Sequence, residues 1–250
     1  RHDQISLSME SHGVWPECVP FLRSAVRLHN TTSITVLDIG ANIGGCTMYF
    51  AASGAKVYSF EPLPSNYRLL ENSIRLNPFR DRVTLVKSAA AAKPGESVIF
   101  AESKNHGNSV IVDESKGGRI EQLPIDKAKS AWEKDTVTMV RVDEHIDDHI
   151  HFMKIDCQGY ELDALQGSTG LLKAGKIDMI IFEVDPAFLS VRGVKASEIF
   201  QLLRGFGYTI KTPTGEQLPP SGFSMAALGG NYMAFKKRFT HWADGKPLYK

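Results

Sequence analysis

The 250-residue sequence predicts an α/β fold: a doubly wound, Rossmann-like, mostly parallel sheet that ends in an antiparallel C-terminal strand. Three observations predict it. Short apolar strands alternate with helix-length amphipathic segments, and repeated β-then-α units imply a parallel sheet covered on both faces. A glycine-rich turn follows the first of these strands, where tight backbone and the start of a helix can meet a ligand. The last two strands have no helix between them, which implies an antiparallel pair.

The elements follow in order. Val19 to Leu28 has helical apolar spacing, so residues 1–32 are expected to form an N-terminal helical segment over one sheet edge. Residues 33–250 then read as a single domain. Thr35 to Leu37 is a strand, Thr47 to Ala52 a helix ending at Gly54, and Lys56 to Phe60 a second strand. Pro64 to Leu76 is a helix with Leu69, Leu70, Ile74 and Leu76 as its buried stripe and Ser65 as its cap. Val83 to Val86 is the third strand. Between about residues 92 and 144 the alternation breaks. Short strands at Ser97 to Ala101, Val110 to Asp113 and Val137 to Val142 surround a polar stretch from Ser115 to Lys134, which predicts inserted hairpins and a long loop. Alternation resumes with a strand from His151 to Ile155, a helix from Tyr160 to Leu172 and a strand from Ile177 to Phe182. A helix from Ala196 to Phe206 stops at Gly207, and the strands Tyr208 to Lys211 and Tyr232 to Phe235 close the chain.

Composition narrows the function classes. The formal net charge is +1, so no broad basic field recommends a nucleic-acid partner. No apolar run approaches the roughly 20 residues of a membrane-spanning helix. The expectation is a soluble protein of the cytoplasm, or of an organelle lumen if a targeting segment has been cut away, since the sequence begins at Arg1. Cys18, Cys46 and Cys157 form no CxxC pair, which argues against a disulfide framework and a structural zinc site. A reducing compartment is expected, with Cys46 and Cys157 as core thiols. Asn30-Thr31-Thr32 is a glycosylation sequon of a kind that arises readily by chance.

Four motifs carry chemistry. The first runs Val36-Leu37-Asp38-Ile39-Gly40-Ala41-Asn42-Ile43-Gly44-Gly45, a buried strand entering a glycine turn. A dinucleotide fingerprint has glycine where this chain has Asn42, so pyrophosphate is disfavoured. Asp38 suits a cationic ligand end, such as the amino acid end of S-adenosylmethionine (SAM). The second motif, Ser59-Phe60-Glu61-Pro62, places an acid about twenty residues on, where it can accept ribose hydroxyls. The third is Lys154-Ile155-Asp156-Cys157-Gln158-Gly159-Tyr160-Glu161, in which Lys154 and Asp156 share one strand face. The fourth, Phe182-Glu183-Val184-Asp185-Pro186, brings two more carboxylates to the same rim.

Taken together, VLDIGANIGG, SFEP, FMKIDCQGYELDALQG and MIIFEVDP resemble the FkbM-type methyltransferase family over roughly Ser33 to Asp185. The resemblance implies a seven-stranded class I methyltransferase fold whose last strand is antiparallel. It also implies SAM as cofactor and O-methylation, often of sugars or secondary metabolites. The expected cofactor-binding residues are Asp38, Gly40, Ala41, Asn42, Gly44, Glu61, Pro62, Ser88, Ala89 and Asp156. One departure stands out: Gln158 occupies a position where the family usually has Glu.

A hydroxyl acceptor must lose its proton, so a base is expected near the transferred methyl group. The candidates are Asp156, Glu183, Lys154 (if burial depresses its pKa) and His106, in a polar loop of the insert. An alternative is a divalent metal held by Asp156 with Glu183 or Asp185. The expected partner is a glycan or small-molecule acceptor. Two rival readings are an NAD-dependent oxidoreductase and a degenerate SAM-binding module without turnover.

Overall fold

The computed structural model describes residues 4–12, 15–103, 105–112, 131–212, 215–218 and 229–236. Seven strands make the central sheet: β1 (Thr35–Ile39), β2 (Lys56–Phe60), β3 (Val83–Val86), β8 (Ile150–Ile155), β9 (Ile177–Val184), β10 (Tyr208–Lys211) and β11 (Gly230–Lys236). Their order is β10-β11-β9-β8-β1-β2-β3. Strands β3, β2, β1, β8 and β9 run parallel, and β11 lies antiparallel between β9 and β10. The expected seven-stranded sheet with an antiparallel last strand is therefore present.

Period-two alternation decides which side chains face which layer. Val36, Val57 and Phe152 pack with α2 (Cys18–His29) and α3 (Gly45–Ala52) through Phe21, Leu22 and Phe50. Leu37, Ile39, Met153 and Ile155 face the other way, onto α5 (Glu161–Gln166), α6 (Thr169–Lys173) and α8 (Ala196–Gly205). Phe152 sits between the rings of Phe21 and Phe50, at centroid distances of 6.1 and 5.8 Å. Burying each such side chain contributes roughly 1.5–3 kcal/mol.

The expected insert is a second sheet of β4 (Ala89–Ala90), β5 (Gly95–Glu102), β6 (Asn105–Val112) and β7 (Trp132–Val140), ordered β4-β7-β5-β6. β7 begins earlier than its apolar run suggested, because Glu102 to Ser97 pair with Trp132 to Val137 whatever the polarity of the β7 side chains. The polar stretch between β6 and β7 falls largely on residues 113–130, outside the described residues. Ile99, Ala101, Ile111 and Val137 of the insert pack against Leu63 and Tyr160, which fixes the small sheet beside the carboxyl edge of the large one.

Several expectations need correction. Helix α4 (Pro64–Arg75) buries Asn66 and Leu70, whereas Leu69 and Leu76 are 47% and 75% exposed. An i,i+4 pair with one polar member sets the helix phase, because Asn66 finds hydrogen-bond partners beneath α4. Leu63 is its N-cap and Pro64 its first residue, so Ser65 does not cap it; the Ser65 hydroxyl instead meets His106 Nδ1 at 3.1 Å. The single helix expected from Tyr160 to Leu172 is two short helices broken at Gly167 and Ser168. A Cβ at Gly167 would lie 2.2 Å from the carbonyl oxygen of Ala91, so the break lets the insert's backbone pass. Helix α1 (Gln4–His12) falls within the helical segment expected over residues 1–32, whereas α7 (Pro186–Val191) was not expected from the sequence.

Cys18 and Cys46 form a disulfide, which overturns the expectation of Cys46 as a core thiol. It also removes the ground for expecting a reducing compartment. Cys157 is a free thiol. No helix among the described residues is long and apolar enough to cross a membrane.

Candidate active site

A cavity of about 370 Å³ opens at the carboxyl ends of β1, β2, β8 and β9, where side chains of different strands converge. Its wall includes Gly40, Ala41 and Asn42 from the glycine turn, Glu61 and Pro62 after β2, and Ser88 and Ala89 after β3. Lys154 and Asp156, Glu183 and Asp185, and His106 from the insert also line it. Twelve of the fourteen residues expected for cofactor, catalysis or metal thus share one cavity.

Asp38 and Gly44 are the two outside the wall. Asp38 is fully buried behind it. Its Oδ2 accepts the Thr47 hydroxyl at 2.7 Å, and its Oδ1 lies 3.3 Å from Lys154 Nζ. The register explains this: β1 and β8 set Asp38 beside Lys154, both on the α3 face of the sheet. Asp38 therefore acts on the cavity through Lys154 and through its like charge on Glu61. Gly44 is the N-cap of α3, packed under Leu70.

The glycine turn is held by close crossing. Gly40 has φ 78°, and a Cβ there would stand 1.9 Å from the Asp156 carbonyl oxygen, so only glycine passes between β1 and β8. Asn42 adopts φ 55°, a conformation asparagine tolerates. Its side-chain oxygen accepts the Ile43 N–H at 2.8 Å, so that turn donor is already satisfied from within.

Glu61 is 4% exposed, and each of its oxygens accepts one backbone N–H, from Asn42 at 2.7 Å and from Leu63 at 2.8 Å. Burial pushes its acid up to about 7 against those two donors. A carboxylate oxygen has two lone pairs. One on each oxygen remains for a pair of hydroxyls, which fits a ribose. Asn66 adds an acceptor that sequence reading missed. It is 2% exposed and lines the cavity, and among the described residues its Oδ1 has no hydrogen-bond partner while its Nδ2 donates to Asn42 Oδ1 at 3.0 Å. A buried polar atom left unpaired in a ligand cavity suits a ligand N–H or O–H. The available signal was an asparagine one turn before Leu70 on a helix following the acidic motif.

Lys154 Nζ also approaches Asp156 Oδ2 at 3.6 Å and donates to the Gly40 carbonyl at 3.4 Å. Burial disfavours its charge, but Asp38 and Asp156 outweigh burial and hold it above its ordinary range. This corrects the idea of Lys154 as a base: it remains an ammonium. Gln158, at φ 50°, donates from one amide nitrogen to Asp156 Oδ1 at 3.1 Å and Glu183 Oε2 at 3.2 Å. Burial, then the like charges of Asp156, Glu161 and Asp185, push the Glu183 acid up to about 8. Glu161, just behind the wall, is pushed to about 7 by burial although its Oε1 accepts the Cys157 and Gly159 N–H groups.

His106 lies on β6 rather than in a loop, and is 5% exposed rather than on the surface. Asp185 accepts the Ala187 and Phe188 N–H groups at 2.8 and 3.3 Å as the cap of α7. Among the described residues no group of three or more His, Cys, Asp or Glu is arranged to hold a metal ion. The cavity lining also includes Trp15 and Glu17, which no local sequence signal connects to it.

The Methyltransferase FkbM domain family matches residues 38–210 of this chain. The chain is 25% identical over 153 residues to the methyltransferase sdnD of Sordaria araneosa, an alignment spanning 53% of this chain and 59% of that relative. It is similar to the FkbM methyltransferase structure of Methylobacillus flagellatus, with TM-score 0.48 and 18% identity over 82% of this chain and 44% of that one. Against the SAM-bound magnesium protoporphyrin IX methyltransferase of Synechocystis, the TM-score is 0.47 and the identity 11%, over 89% and 79% of the two chains. The chain belongs to the FkbM methyltransferase family, and it spans less than two thirds of the length of sdnD and of the Methylobacillus structure. The nicotinamide reading is set aside on the same ground.

Proposed function

We propose that this methyltransferase transfers the SAM methyl group to a hydroxyl of a carbohydrate or small natural product. The observation that carries the reading is Glu183, set in the cavity wall, joined through Gln158 to Asp156, and raised to a proton affinity near 8. A base is most effective when its pKa lies near the working pH, and an ordinary carboxylate is too weak for an alcohol. When bound, the cofactor supplies an already activated methyl group. The chain's part is then to hold the acceptor oxygen in line and take its proton.

Each side chain has a role in this reading. Glu61 and Asn66 accept hydroxyl or amine donors of the cofactor, beside Pro62, Ser88 and Ala89 and the turn from Gly40 to Asn42. Glu183 takes the proton. Asp156 raises Glu183 by like charge and lies 3.6 Å from the Lys154 ammonium. Gln158 spends its amide hydrogens on one oxygen of Asp156 and one of Glu183, and Asp185 is engaged at α7. That arrangement favours proton transfer to Glu183 over a cation shared by the three carboxylates. His106, beside Ser65, faces the same cavity from the insert and is a candidate for contact with the acceptor.

A mass-spectrometric screen of glycans and natural-product hydroxyls for gain of one methyl group identifies the acceptor. Glu183→Gln should then lower turnover by about a hundredfold or more while leaving the dissociation constant of S-adenosylhomocysteine unchanged. Wild-type turnover should rise with pH as Glu183 ionises through about 8, and the variant should lose that rise. Methylation confined to nitrogen or carbon, or full turnover in the variant, would count against the proposal.

A further inference from the structure

The amino acid end of SAM carries an ammonium group, which needs an acidic partner within the cavity. Asp38 cannot serve directly: it is fully buried behind the wall and already engaged by Thr47 and Lys154. The wall offers Asp156 beside Lys154 and, from the N-terminal segment, Glu17. Glu17 precedes α2, outside the residues matched by the family, so nothing in the motifs points to it.

The fold nevertheless builds Glu17 into the site. Its neighbour Cys18 is bonded to Cys46, the second residue of α3. Both half-cystines are buried, and Cys46 itself lines the cavity next to Gly45. The crosslink pins the segment holding Trp15 and Glu17 to the helix that begins at the glycine turn. Glu17 also feels the rest of the site. Although the residue as a whole is exposed, burial at its acid end and then the like charge of Asp156 raise it above the ordinary carboxylate range, with Lys154 opposing. Two like charges that line one cavity and repel one another are relieved by a cation between them.

We infer that Glu17, held in place by the Cys18–Cys46 disulfide, joins Asp156 in binding the α-ammonium group of the cofactor. This rests on the reading of the cavity as the SAM site. It gives the N-terminal segment a share in cofactor binding. It also makes affinity for the amino acid end depend on an intact crosslink.

The test compares two ligands that differ in that end. S-adenosylhomocysteine carries the ammonium; 5′-methylthioadenosine has the same nucleoside and sulfur without it. Calorimetric titration of the oxidised chain and of Glu17→Gln is sufficient. Loss of one charged hydrogen bond should weaken S-adenosylhomocysteine by about tenfold and leave methylthioadenosine within roughly twofold. Reduction with dithiothreitol, or Cys18→Ser, should reproduce that selective loss in the otherwise unchanged chain. Equal weakening of both ligands in Glu17→Gln, or of neither, overturns the assignment. If the wild-type chain binds neither ligand, the failure lies with the cofactor reading itself.

Discussion

The two edges of the seven-stranded sheet carry similar charged residues and treat them in opposite ways. At the amino ends of the strands, carboxylates meet lysines or histidines. Asp148 accepts from Lys56 at 2.6 Å and from the Tyr58 hydroxyl at 2.8 Å, and the Lys56 contact holds its acid below the ordinary range. Asp178, buried at the start of β9, meets His149 Nε2 at 2.7 Å. Lys176 pairs with Asp147. At the carboxyl ends, Asp38 and Asp156 share Lys154, while Glu61, Glu161 and Glu183 are pushed up to about 7, 7 and 8 by burial. One edge spends its charge on structure; the other leaves it strained, as ligand sites do.

Removing a lysine from each edge should separate the two most sharply. Lys154→Ala leaves Asp38 buried and uncompensated, so unfolding free energy should fall by about 3–5 kcal/mol in denaturant titration. Lys56→Ala breaks a pair whose side chains are 52% and 43% exposed, and should cost about 0–1 kcal/mol. Equal losses would erase the contrast between the edges.

Glu61→Ala tests whether a strained carboxylate is kept for a ligand. Its loss should weaken S-adenosylhomocysteine by roughly ten- to a hundredfold, the worth of a charge-assisted hydrogen bond. An unchanged dissociation constant would leave Glu61 only its backbone role, holding Asn42 and Leu63.

A further effect is the pH dependence of stability without ligand. Glu61, Glu161 and Glu183 ionise near 4.5 in the unfolded chain and only near 7 to 8 in the fold. Their stabilising contribution is complete below about 4.5 and is lost as pH rises through 7 to 8, because the fold binds more protons in between. Each pH unit in that window removes at most about 1.4 kcal/mol per group. His151 works the other way below its ordinary 6.5, where burial resists its protonation. Scanning calorimetry from pH 6.5 to 8 isolates the carboxylates, and the melting temperature should fall across it. A flat or rising profile would mean that these acids are not strained.

The strands of the large sheet were legible because each is a short apolar run between breakers, and β2, β3 and β10 fall where sequence reading places them. The glycine turn, Glu61, Lys154, Asp156 and Glu183 were legible because they follow strand ends, and topology sends all parallel strand ends to one edge. Local pattern determined that much. It did not determine depth: Asp38 and Glu61 look alike in sequence, yet register against Lys154 puts one behind the wall and the other in it. Nor did it determine phase in α4, where Asn66 rather than Leu69 turns inward. The Cys18–Cys46 bond, and with it Trp15 and Glu17 in the cavity lining, came from tertiary structure alone. Residues 28 apart carry no periodic signal of being neighbours; only the packing of α2 against α3 brings them together.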